Sequence, residues 1–129
     1  MNKLDKKSVT GISALLVHAA NIDEIYSSHE KDLVKDFISS YLKNEDANEI
    51  LKEAEKIEKS SNQLLTYTNL IKQNSIEIKK DIIEHLWKVI ISDNTVDQYE
   101  SNLMRRICGL IYFPDKECAE IKLKLMENK

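Results

Sequence analysis

The chain has 129 residues, 42% of them hydrophobic and 32% charged, enough for one self-sufficient core and too apolar for a disordered segment. Its 19 basic and 22 acidic residues leave a net charge of -3, which lacks the basic footprint of a nucleic-acid binder. Apolar runs such as Val89-Ile90-Ile91 fall far short of the roughly 20 residues that span a bilayer, which speaks against a membrane protein.

Residues 1–7 are polar, lack the apolar stretch of a secretory signal, and read as a flexible N-terminus ahead of a single domain over residues 8–129. From Ser8, the apolar residues Val9, Ile12, Leu15, Leu16, Ala19 and Ala20 recur at steps of three and four, which predicts a helix to about Asn21. Ser27-Ser28-His29-Glu30 has the pattern of a capping box, and Leu33, Val34, Phe37, Ile38, Tyr41 and Leu42 stripe a second helix behind it. Asn44-Glu45-Asp46 breaks that stripe and caps a third helix with Ala47, Ile50, Leu51, Ala54 and Ile57 on one side. Glu53, Glu55, Lys56, Glu58 and Lys59 are expected on its solvated side.

Ser60-Ser61-Asn62 is the main break in mid-chain. A short helix follows through Leu64, Leu65, Tyr67, Leu70 and Ile71, and Ser75 is positioned to cap the next one. That fifth helix is the most apolar, with Ile78, Ile82, Ile83, Leu86, Trp87, Val89, Ile90 and Ile91, and is expected at the centre. Asp97 and Glu100 repeat the capping pattern before a sixth helix striped by Leu103, Met104, Ile107, Cys108, Leu110 and Ile111. Pro114 turns the chain into a seventh helix carrying Ala119, Ile121, Leu123, Leu125 and Met126. With no alternation of strand period, the fold class is all-α with about seven helices.

Two acidic turns echo each other. Asp23, Glu30 and Leu33 recur as Asp93, Glu100 and Leu103, each at a step of 70 residues. The pattern points to a pseudo-two-fold chain of duplicated helix-turn-helix units, with repeat halves at about 8–59 and 62–126. Capping explains Ser27, Glu30, Asp97 and Glu100 as acceptors for orphan amides at helix starts. Asp23 and Asp93 instead lie near helix ends, where negative charge opposes the macrodipole, so they either tie down turn amides or hold a cation. The candidate metal ligands are therefore Asp93, Asp97 and Glu100 of the second turn, then Asp23 and Glu30 of the first. An all-oxygen set of this kind suits calcium or magnesium, although the second turn lacks EF-hand spacing and its sixth-position Gly.

The two turns, each running from an Asp to a Glu seven residues on, resemble those of the tellurite-resistance TerB-like family. The family pattern is close to Ala-Asp-Gly-x-Ile-Asp-x-x-Glu. Ser92-Asp93-Asn94-Thr95-Val96-Asp97-Gln98-Tyr99-Glu100 agrees with it at both aspartates, the hydrophobe and the glutamate, departing at Ser92 and Asn94. The first copy keeps Asp23 and Glu30 but has Glu24, Tyr26 and Ser27 where the pattern has Gly, the hydrophobe and the second Asp. The resemblance takes in His85-Leu86-Trp87-Lys88-Val89 and Leu103-Met104-Arg105-Arg106-Ile107, and runs from about Ile12 to Leu125. It implies a helical, non-catalytic, cytoplasmic domain linked by name to tellurite resistance and stress response, with metal binding suggested.

The other chemistry-bearing residues read more simply. His18, His29 and His85 show no zinc-ligand spacing, and there is no phosphate loop or nucleophile elbow. Cys108 lies on an apolar stripe as a buried thiol, and a disulfide with Cys118 across the Pro turn is the lesser alternative. Two cysteines without a pairing motif fit a reduced cytoplasmic setting. The leading expectation is a binding module for a protein partner, with a divalent cation at the acidic turns. Its rivals are a helical-bundle metal hydrolase and a purely structural interaction scaffold.

Overall fold

The architecture comes from a computed structural model, which describes residues 4–21, 27–42, 46–60, 64–91 and 98–127. Seven helices account for most of them: α1 (Lys6–Ala20), α2 (Ser28–Tyr41), α3 (Ala47–Ser60), α4 (Leu64–Lys72), α5 (Ile76–Ile91), α6 (Gln98–Leu110) and α7 (Asp115–Glu127). There is no strand among the described residues, and no helix there is long and apolar enough to cross a membrane.

α1 starts earlier than the apolar stripe indicates. The Ser8 amide donates to Asp5 Oδ1 at 2.7 Å, making Asp5 the N-cap, and Leu4 is buried. Residues 4–7 thus belong to the folded unit rather than to a flexible tail, because a local cap and one apolar anchor hold them. α1 also replaces α5 as the centre of the molecule. It packs against α2, α3, α4 and α5, and apart from His18 every residue from Val9 to Ala20 is buried. No Asp, Glu, Lys or Arg occurs between Lys7 and Asp23, and Gly11, Ser13, Ala14, Ala19 and Ala20 are small enough to admit neighbours from several sides. At Gly11 the approach is tight: a Cβ there would overlap Leu70 of α4.

The remaining helices each bury one face against this centre. Asp46 caps α3 by accepting from the Asn48 amide at 2.9 Å, and Ile50, Leu51 and Ala54 face inward. The Ile78 amide donates to Ser75 Oγ at 3.3 Å, which starts α5, and α5 packs against α1, α2 and α7. On α7, Cys118 and Ile121 are buried and Leu125 partly so, whereas Leu123 and Met126 are exposed. Leu123 lies two residues from both Ile121 and Leu125, and residues two apart do not share a helix face.

The step of 70 reappears in the helix boundaries. α1 begins at residue 6 and α5 at 76; α2 begins at 28 and α6 at 98. The packing around the two leading helices differs, since α1 is enclosed and α5 leaves Glu77, Lys80 and Lys88 exposed.

Candidate functional site at the inter-helix turns

Of the five candidate ligands, Glu30 and Glu100 are described, and Asp23, Asp93 and Asp97 lie outside the described residues. Glu30 and Glu100 stand in the first turns of α2 and α6, 7% and 4% exposed. A carboxylate taken out of water to this degree needs hydrogen bonds or a counter-charge. For Glu30 the first part is visible. The Ser27 amide donates to Glu30 Oε1 at 2.9 Å, the Ser27 hydroxyl to the same oxygen at 3.2 Å, and the Glu30 amide to Ser27 Oγ at 3.2 Å. This is the reciprocal capping box expected from Ser27-Ser28-His29-Glu30.

The flanks of the two turns adjoin one end of α1. Val17 and Asn21 line a recess of about 190 Å³ with Lys31 of α2 and Glu55 and Glu58 of α3, beside the first turn. His18 shares a shallow groove of about 450 Å³ with Tyr99, Asn102, Leu103 and Arg106 at the start of α6, beside the second. Between them lies a polar cluster. His18 Nδ1 lies 3.4 Å from Glu58 Oε2, and Asn21 Nδ2 donates to Glu58 Oε1 at 3.2 Å. Glu58 was expected on the solvated face of α3, yet its side chain is only 14% exposed. Its partners are 40 and 37 residues away, so nothing in local spacing announces the contact. Among the described residues, no group of three His, Cys, Asp or Glu side chains is arranged to hold a metal ion.

A second constellation joins α2 to α5. The Tyr41 hydroxyl donates to Asp81 Oδ2 at 2.6 Å, while His85 Nδ1 lies 2.8 Å from the Asp81 carbonyl and 3.6 Å from Oδ1. Phe37 packs against both rings, edge-on to His85 at 5.2 Å and tilted to Tyr41 at 5.2 Å. Desolvation, and then the hydrogen bond to Asp81, push the Tyr41 hydroxyl well above its ordinary value, so it acts here as a donor and not as a base.

A family model described as tellurite resistance protein TerB matches residues 10–123 of the chain. No curated protein and no solved structure matches it. The matched span reaches from α1 to α7 and contains both acidic turns.

Proposed function

The chain belongs to the TerB family, and from that premise we propose a non-catalytic helical binding module that engages another protein and takes a divalent cation at its acidic inter-helix turns. The observation that carries this reading is the pair of buried carboxylates, Glu30 and Glu100, held at equivalent places 70 residues apart. Each stands at the Glu end of an Asp-to-Glu turn, where carboxylates recur along the sequence. The ligands would be Asp93, Asp97 and Glu100, and more weakly Asp23 and Glu30. Their all-oxygen chemistry fits calcium or magnesium better than a soft metal. The bound ion would offset the buried negative charge and fix the angle between the flanking helices.

The protein partner is supported by Leu123 and Met126, one turn apart on α7 and 60% and 44% exposed. A cytoplasmic setting and a part in tellurite resistance or stress response complete the proposal. The metal half is tested by calorimetry and thermal shift with calcium, magnesium, manganese and zinc. Binding of calcium or magnesium that Asp93→Asn and Asp97→Asn weaken at least about tenfold is expected. Absence of heat and of any shift with all four ions would remove the cation from the reading.

A further inference from the structure

The groove between α5 and α7 has charged walls of uneven sign. The Trp87 indole, near the end of α5, donates to Cys118 Sγ, near the start of α7, at 3.4 Å. Toward the start of α5, Lys80 and Glu84 line a recess of about 280 Å³ with Glu117, Glu120 and Lys124 of α7, above Ile121 and Leu125. The two helices therefore run antiparallel. That order sets Glu84 across from the stretch of Glu117 and Glu120, and Lys80 across from Lys124, so one end of the groove is acidic and the other basic. None of these five charged residues forms an ion pair among the described residues. Lys80 and Glu84, like Glu120 and Lys124, have the four-residue spacing that would allow one along a helix, yet neither pair closes.

Like charges facing each other across a groove repel, and an occupant of reverse polarity relieves them. α7 itself has that polarity, acidic at Glu117 and Glu120 and basic at Lys124. Laid antiparallel on the α7 of another molecule, its Lys124 falls beside Glu120 and its Glu120 beside Lys124 and Lys80. In the same register Leu123, 60% exposed, falls over Ile121, 9% exposed at the floor of the groove. A two-fold axis repeats every contact, so one surface serves both molecules.

We propose that the α5–α7 groove is a self-association surface, into which a second copy of the chain docks its own α7 antiparallel. The inference rests on the reading of the chain as a module for a protein partner, and it names that partner. One helix laid on one groove buries less than the roughly 1,200 Å² of a stable interface, so the pair forms reversibly. Its charge pairs lie in water and are screened by salt.

The test is sedimentation equilibrium of the full chain from about 10 μM to about 1 mM, without added metal. A monomer–dimer equilibrium is expected that weakens at least about threefold in about 0.5 M salt. Lys124→Glu or Glu120→Lys alone should weaken it at least about tenfold, and Leu123→Glu should do the same. An equimolar mixture of Lys124→Glu and Glu120→Lys chains should associate again, because each supplies the charge that the other has lost. Glu120, Leu123 and Lys124 are exposed, so the variants should keep the helical circular dichroism of the wild type. A chain that stays monomeric throughout, or a dimer that tolerates both charge reversals, overturns the proposal. A monomer that captures a different protein overturns the second copy and keeps the wider reading of a protein partner; a monomer that captures none removes both.

Discussion

Ser13 carries a small conflict between sequence and environment. Its hydroxyl is fully buried on α1 and has no hydrogen-bond partner among the described residues. An unsatisfied buried hydroxyl costs about 1–3 kcal/mol, and alanine is the better helix former. Ser13→Ala should therefore raise stability by roughly 1 kcal/mol in urea unfolding, a reversal of the usual sign for a core substitution. The serine is legible in the sequence, but its isolation is not. Whether a hydroxyl at that position meets water, a carbonyl or a methyl group depends on helices placed far away in the chain. Glu58 shows the same limit in the other direction, a charged residue of a charged face drawn inward by His18 and Asn21.

At the scale of helices, ends decide more than middles. Ser27 and Glu30 satisfy one another's amides at the start of α2, so Ser27→Ala should cost about 1 kcal/mol of stability. Glu30→Gln, which keeps an acceptor, should cost less; a chemical-denaturation comparison of the two separates capping from charge. The end of α6 is strained instead. The Phe113 amide donates to the Cys108 carbonyl at 2.8 Å and the Tyr112 amide to that of Gly109 at 3.4 Å, a Schellman closure that puts Tyr112 at φ 60°. A glycine would take that conformation without the Cβ penalty, so Tyr112→Gly should stabilise by roughly 1 kcal/mol, less whatever the Lys72 ammonium gains 5.1 Å from the ring. A lower thermal midpoint for this variant would show that the ring contact outweighs the strain. Caps of the Ser27 kind are written into adjacent residues and can be read directly. The Tyr112 turn carries no such signature, because Pro114 marks where the chain must bend but not which residue absorbs the left-handed step.

Across the whole molecule, the Tyr41–Asp81 hydrogen bond ties α2 of the first half to α5 of the second. Its sign with pH is fixed by the raised Tyr41 value: the folded state favours the neutral phenol. The stabilisation is complete below the ordinary tyrosine value of about 10 and is lost as pH rises through the folded one. Tyr41→Phe should cost about 1 kcal/mol near neutrality. The gap between wild type and variant should narrow only in alkaline solution, as urea titrations at several pH values would show. A gap that stays the same into strongly alkaline solution would assign the contribution to packing of the ring rather than to its hydroxyl.

Helix number, order, period and most starts follow from the sequence alone, as does the step of 70 between its two acidic turns. All of these rest on interactions within about four residues, where spacing along the chain is spacing in space. The tertiary structure decided the rest: α1 rather than α5 enclosed at the centre, Glu58 turned toward His18, and Cys118 set against the Trp87 indole. Trp87 and Cys118 are 31 residues apart, and His18 and Glu58 are 40. Contacts at that separation are set by how helices cross, and a crossing depends on which small residues let two backbones approach, as Gly11 does beneath Leu70.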